Sequence, residues 1–297
     1  MPANSRKWDR RIQRAGELSE THPFAREILL FYRRLTGFQK NLYTQLLSGQ
    51  SATGKYGQDT HATLSLPPAL DDVDLGLLLS RWPPFMDMLV GAAPAVLAGF
   101  ARELKTQSLA AGAALLRAAW PANLPAAADD AGTSLVGAQS VATTRVVPTL
   151  EGFCAHAFLQ PFAEFLADRA EISTPPVRRP ICPYCGSPPL VGVLRPEGEG
   201  AKRSLVCSFC RTEWDYLRIA CPACDERREE KLCVYTTPKF EAVRVEACAT
   251  CRAYTLTVDL TKDGLAVPEV DELAALPLTL WADEQGYQKF TRSVVCV

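Results

Sequence analysis

Apolar residues along this chain change their period once, near residue 175. From Phe24 to Leu46 they recur at helical steps: Phe24, Ile28, Leu35, Leu42 and Leu46, with Phe31, Tyr32 and Phe38 widening the same face. Arg33, Arg34, Gln39 and Lys40 fall largely opposite. This pattern predicts an amphipathic helix, opened by Pro23 at a tolerated first-turn position and closed near Ser48-Gly49. Residues 1–20 are charged and weakly patterned, a loose or helical leader, and residues 50–68 are polar and read as a loop. A short helix is expected from Asp72 to Leu79, then two Ala- and Leu-rich core helices over Phe85–Gln107 and Leu109–Trp120. Residues 121–147 show no clean period. Pro148–Arg169 reads as another helix, which Pro161 should kink or break.

The segment from Ile172 to Pro180 carries three prolines and reads as a semi-rigid linker. Beyond it the helical period disappears. Alternating runs at Ser204–Cys207, Lys231–Tyr235, Ala242–Ala247 and Tyr254–Leu260 predict strands, and helix formers return over 269–290. The expected architecture is therefore multidomain. An all-α domain (1–171) and a linker (172–180) precede two tandem small β-rich metal ribbons (181–219 and 220–268) and a C-terminal helix or tail (269–297).

The ribbons follow from cysteine. Eleven are present, and eight form four C-x-x-C pairs: Cys182/Cys185, Cys207/Cys210, Cys221/Cys224 and Cys248/Cys251. The first pair precedes the second by 25 residues and the third precedes the fourth by 27. The spacing repeats, so the pairs form a tandem duplication of about 40 residues per unit. Two intervening residues let both sulfurs turn onto one ion, and two such knuckles complete a tetrahedral four-sulfur site that selects zinc or iron. Sequential pairing gives site 1 as Cys182, Cys185, Cys207 and Cys210, and site 2 as Cys221, Cys224, Cys248 and Cys251; an interleaved arrangement is the alternative. A thioredoxin-like redox pair would need a βαβ context, and none surrounds any pair. Cys154 reads as a small buried hydrophobe, Cys233 as strand packing, and Cys296 carries no assignable role. Units this small lack a sufficient core of their own, so chelation should melt the ribbon half and leave the helical half folded.

Charge narrows the function. Lys+Arg is 32 and Asp+Glu 33. Both halves are near balance, with 16 basic and 16 acidic residues before position 175 and 16 and 17 after it. A dedicated nucleic-acid binder needs surplus cations. Arg178, Arg179, Lys202, Arg203, Arg211, Arg218, Arg227 and Arg228 could line a basic face, but acidic residues interleave with them. The most apolar stretch, Phe85–Ala101, is interrupted by Asp87 and Pro94 and does not read as a membrane span. The polar N-terminus lacks the apolar segment of a secretory signal, which points to the cytoplasm. No Gly-rich phosphate loop or G-x-S-x-G is present, so the chain does not read as an enzyme.

The run CPYCGSPP at 182–189, RSLVCSFCRTEWDYLRIACPAC at 203–224, EACATCRAYTLTVDL at 246–260 and VPEVDELAALPLTLWADEQGY at 267–287 resembles the formate dehydrogenase accessory protein family, FdhE type. The N-terminal half adds its helical layout and RWPPF at 81–85; Thr279 stands where the family pattern leads one to expect an acidic residue. The resemblance implies rubredoxin-like centres, with iron as the metal and zinc as the alternative. It further implies a cytoplasmic maturation factor or chaperone for a respiratory formate dehydrogenase exported by the twin-arginine pathway, contacting the catalytic subunit before export. The subunit's signal peptide is a further candidate contact. Such a leader is basic, so Glu269, Asp271, Glu272, Asp283 and Glu284 are candidate client-binding residues. The competing readings are a redox protein acting on a client's cofactor and a zinc-ribbon nucleic-acid module.

Overall fold

The computed structural model describes residues 6–48, 70, 72–120, 149–170 and 180–291. The loop expected at 50–68, the ambiguous stretch 121–147, the linker 172–179, His61, Arg178, Arg179 and Cys296 lie outside them.

The N-terminal half is helical. The charged leader forms a regular helix, α1 (Arg6–Thr21), that buries Trp8, Arg11, Ala15 and Leu18. A single turn at Pro23–Ala25 leads into α2 (Arg26–Leu47). Then come α3 (Asp72–Leu79), α4 (Trp82–Ala92), α5 (Ala95–Lys105), α6 (Leu109–Ala119) and α7 (Leu150–Ala167). The single helix expected over Phe85–Gln107 is two: Ala93 is extended and Pro94 precedes the first residue of α5, because the residue before proline is pushed out of the helical region.

Helix α7 is the hub of this half, buried along nearly its whole length from Phe153. Pro161 does not break it. Proline cannot donate to the carbonyl four residues back, which belongs to Ala157. Gln39 of α2 supplies that donor: its Nε2 reaches the Ala157 carbonyl at 2.7 Å. Gln39, expected on the polar face, is therefore buried at 2% exposure.

The C-terminal half is one sheet. Strands β1 (Pro189–Glu197), β2 (Gly200–Cys207) and β3 (Glu213–Asp215) form one antiparallel ribbon. Strands β4 (Leu232–Tyr235), β5 (Val243–Cys248) and β6 (Ala253–Asp259) form the other. The ribbons join through a parallel β1–β6 pair, giving the order β3-β2-β1-β6-β5-β4, with β7 (Gln288–Lys289) also on β6. At the join Gly192 faces Thr257. A Cβ on Gly192 would overlap Thr257 Oγ1 and lie 3.3 Å from its Cβ, so glycine lets the two strands close.

Helices α8 (Pro268–Ala274) and α9 (Leu276–Glu284) tie the halves together. Ala275, Leu278 and Ala282 cover the sheet's Val193, Val245, Leu256 and Val258. Val270, Leu273 and Ala274 pack on Ala15, Leu18 and Leu29 of α1 and α2. A second junction is the largest core, where α7 side chains meet Cys182, Tyr184, Cys185, Cys207, Phe209 and Cys210. The metal half and the helical half share a core across this junction.

Candidate metal centres

All four knuckles are built alike. The residue after each second cysteine is left-handed: Gly186 (φ 70°), Arg211 (φ 58°), Asp225 (φ 57°) and Arg252 (φ 58°). That conformation turns the chain back so that the amide of Gly186 donates to the Cys182 carbonyl at 3.0 Å, Asp225 to Cys221 at 2.9 Å and Arg252 to Cys248 at 2.9 Å. Amides also point at sulfur: Phe209 N to Cys207 Sγ at 3.3 Å and Ala223 N to Cys221 Sγ at 3.4 Å. Only Gly186 takes this conformation without a Cβ penalty; the repetition at three side-chain-bearing residues marks a shape imposed by the site.

The knuckles pair into two clusters: Cys182, Cys185, Cys207 and Cys210, and Cys221, Cys224, Cys248 and Cys251, with the sulfurs of each within 4.8 Å of one another. Cys182 and Cys210 are 3.6 Å apart, Cys185 and Cys207 3.4 Å, and both Cys221–Cys251 and Cys224–Cys248 3.7 Å. A tetrahedral ion with metal–sulfur bonds of about 2.3 Å would set its sulfurs about 3.8 Å apart, so the donor sets fit zinc or iron. The charge argument agrees. Hydrogen bonding, led by Cys182, holds the Cys185 thiol well below its ordinary range, while burial pushes Cys207 and Cys210 well above it. Four buried sulfurs cannot all ionise beside one another unless a cation sits among them.

Surroundings separate the two sites. At site 1, Phe209 stacks on His156 of α7 with centroids 4.3 Å apart and meets Trp120 edge-on at 5.7 Å. Burial pushes His156 down to about 4, so it packs as a neutral ring. Arg211 donates to the carbonyls of Cys207 and Ser208 at 3.2 and 2.9 Å and reaches Gln160 Oε1 at 3.4 Å. Gln160 donates in turn to Glu164 at 2.9 Å, and Glu164 accepts from Arg11 at 2.9 Å. Arg11 also pairs with Glu269.

Site 2 lies open. Cys224 is exposed and Cys251 half-buried. A cavity of about 250 Å³ adjoins it, with Cys221 and Cys248 on its wall beside Arg203, Arg218, Arg244, Ile219 and Val234. Beside it, Glu246 of β5 bridges Arg203 of β2 at 2.7 Å and Arg244, and the first of these pairs links the two ribbons.

The remaining expected residues divide. Glu269, Asp271 and Glu272 are buried, at 7%, 5% and 2% exposure, and have internal partners: Arg11, Arg14 and Lys289. They join α8 to α1 and β7 rather than forming tail surface charge. Asp283 and Glu284 are exposed on α9. Cys154 is fully buried, its thiol raised to about 12 by burial, and Cys233 is half-buried on β4. Arg203 and Arg211 turn inward, so the arginines do not make one face. Arg11, Gln39, Gln160 and His156 were not singled out by pattern; no local period marks a partner more than a hundred residues away.

Together these features define a metal-binding protein with two four-cysteine centres and a helical domain sharing its core. Residues 181–218 match the family domain described as FdhE, central domain, and residues 219–295 match FdhE, C-terminal domain. The chain is 35% identical over 139 residues to the protein FdhE homolog of Aquifex aeolicus, covering 46% of this chain and 49% of that one. It is 39% identical over 117 residues to the homolog of Pseudomonas aeruginosa, covering 37% of each. The aligned segments thus span half or less of the length of these curated relatives. The crystal structure of the FdhE protein from Pseudomonas aeruginosa matches with a TM-score of 0.62 and 23% identity over 98% of this chain and 96% of that one, which extends the shared fold to the helical half. Over residues 181–295 the chain belongs to the FdhE family. Among the described residues no helix is long and apolar enough to cross a membrane.

Proposed function

We propose that this protein is a non-catalytic, cytoplasmic maturation factor for a formate dehydrogenase. It contacts the catalytic subunit before twin-arginine export and holds iron in both four-cysteine sites, with zinc as the alternative. The observation that carries the reading is the pair of FdhE domains, which together include all eight cysteine ligands and both clusters. The donor sets are closed, with four protein ligands each, which suits a structural or electron-transfer ion better than a Lewis acid. Bound iron would supply a one-electron couple; bound zinc would not. In this reading the basic leader meets Asp283 and Glu284, since Glu269, Asp271 and Glu272 already have cations of their own.

The test is co-purification of the tagged protein with the precursor of the catalytic subunit, together with formate dehydrogenase activity in a deletion strain. Loss of activity on deletion and recovery of the precursor support the reading. Full activity in the deletion strain overturns it. A redox role is a second reading, favoured by the exposure of Cys224 at site 2. Zinc as the only metal after anaerobic purification would exclude it.

A further inference from the structure

We infer that the two four-cysteine centres divide their roles: site 1 is a latch fastening the helical domain to the sheet, and site 2 is the exchangeable centre where the protein passes its ion to, or takes it from, a soluble ligand. The inference goes beyond the maturation reading and rests on the geometry of the sites, whichever client the protein serves.

The difference begins at the third position of each knuckle. Site 1 is built from CPYC and CSFC, and site 2 from CPAC and CATC. Tyr184 and Phe209 are 1% and 0% exposed and belong to the core shared with α7. Ala223 is half-buried and Thr250 exposed, and neither anchors its knuckle in a core. The four ligands of site 1 are at most 2% exposed, whereas Cys224 faces solvent.

The left-handed residues repeat the contrast. Arg211 runs from the second knuckle of site 1 into the buried chain of Gln160, Glu164 and Arg11. At site 2 Asp225 pairs with exposed Arg227 on its own loop, and Arg252 of the second knuckle reaches the Gln285 carbonyl and the Tyr287 ring beyond α9 rather than the helical domain.

Access follows. An ion leaves a closed tetrahedral site when an incoming ligand reaches it and a thiolate departs. At site 1 an incoming ligand must first displace Phe209 from His156 and Trp120, which opens the interface with the helical domain. At site 2 it can approach past Cys224, or through the cavity that touches Cys221 and Cys248. The ion passes intact to the incoming ligand, and the freed thiolates take up protons from water. No electron is transferred.

The experiment uses full-length protein loaded with two zinc ions per chain and mixed with excess 4-(2-pyridylazo)resorcinol, whose absorbance reports released zinc. Tryptophan fluorescence is followed in parallel in a Trp281→Phe background, because Trp120 lies against Phe209 whereas Trp281 packs on Tyr235 of the site 2 ribbon. Two phases of one zinc each are expected, at least about tenfold apart in rate, with the fluorescence change confined to the slow phase. Arg211→Ala should accelerate the slow phase and leave the fast one unchanged. Cys224→Ser should remove or accelerate the fast phase alone. If Cys224→Ser does not fold, the parent's fluorescence assignment and the Arg211→Ala kinetics still decide the question. Release of both ions at one rate, or a fluorescence change in the fast phase, overturns the inference. So does Arg211→Ala altering the fast phase instead of the slow one. None of these results bears on whether a formate dehydrogenase subunit is bound.

Discussion

Arg11 tests how the two halves are joined. Its guanidinium lies between Glu164 of α7 and Glu269 of α8, and all three side chains are at most 8% exposed. Arg11→Met keeps much of the apolar stem and removes the charge. Glu164 retains Lys7 at 3.0 Å, while Glu269 loses its ion-pair partner. Breaking a buried pair by deleting one partner costs about 3–5 kcal/mol. At about 2–4 °C per kcal/mol for a protein of this size, the melting midpoint should fall by about 6–20 °C. The pH dependence should also change sign. In the parent, burial pushes Glu164 and Glu269 up, but attraction to Arg11 overrides it and leaves both below the ordinary carboxylate range. A carboxyl depressed in the folded state contributes stability above its unfolded pKa and loses it as pH falls through the folded value, so the parent weakens below about pH 4.3. In the variant burial gains the upper hand at Glu269, its folded value rises, and stability is lost as pH climbs above about 4.3. Thermal melts of zinc-loaded parent and variant, followed by circular dichroism at pH 5 and pH 8, read both effects. A midpoint shift below about 2 °C, or a deficit no larger at pH 8 than at pH 5, would refute the reasoning.

Gln39→Leu leaves the Ala157 carbonyl beneath Pro161 without its donor and should cost about 1–3 kcal/mol in urea unfolding; Gln39→Glu, which also lacks the amide donor, should not rescue it. Gly192→Ala forces the β1–β6 pair apart and should cost about 1–3 kcal/mol, with partial recovery in Gly192→Ala/Thr257→Ala, because the overlap is with the threonine hydroxyl. Full recovery by an unrelated sheet substitution would count against that assignment. Removal of both ions should lower helical ellipticity at 222 nm as well as strand signal, because Phe209 and Tyr184 belong to the core that α7 centres. Unchanged helical signal on complete metal removal would restore the picture of two independent halves.

The eight ligands were legible because a C-x-x-C knuckle is a local object: its spacing, turn and chemistry lie within five residues. The switch from helix to strand was legible for the same reason. What joins the halves was not. Arg11 sits in a stretch that reads as a charged leader, and Glu269 in one that reads as a helix surface; their pairing spans 258 residues and leaves no period. Gln39 looks like one polar residue among several until Pro161 removes a donor on another helix. Pro161 need not break its helix, since its cost depends on whether a side chain elsewhere can serve the orphaned carbonyl. The contrast between CPYC/CSFC and CPAC/CATC, however, was in the letters, and buried aromatics inside a knuckle are a local signal of what that knuckle packs against.

That contrast bears on why a duplicated motif is kept in two unlike settings. The pairing of β1 with β6 makes one sheet of two ribbons, so neither unit needs to complete a core alone. With the core shared, the two pairs of knuckles differ in what they touch while presenting the same set of four sulfurs. At site 1 the aromatic residues and Arg211 connect the ion's shell to α7, and through Glu164 and Arg11 to α1 and α8. At site 2 small residues leave a sulfur at the surface and a cavity beside the ligands. The second role therefore arises from the residues around the ligands: the same four sulfurs hold a domain in place where aromatics bury them, and meet the solvent where they do not.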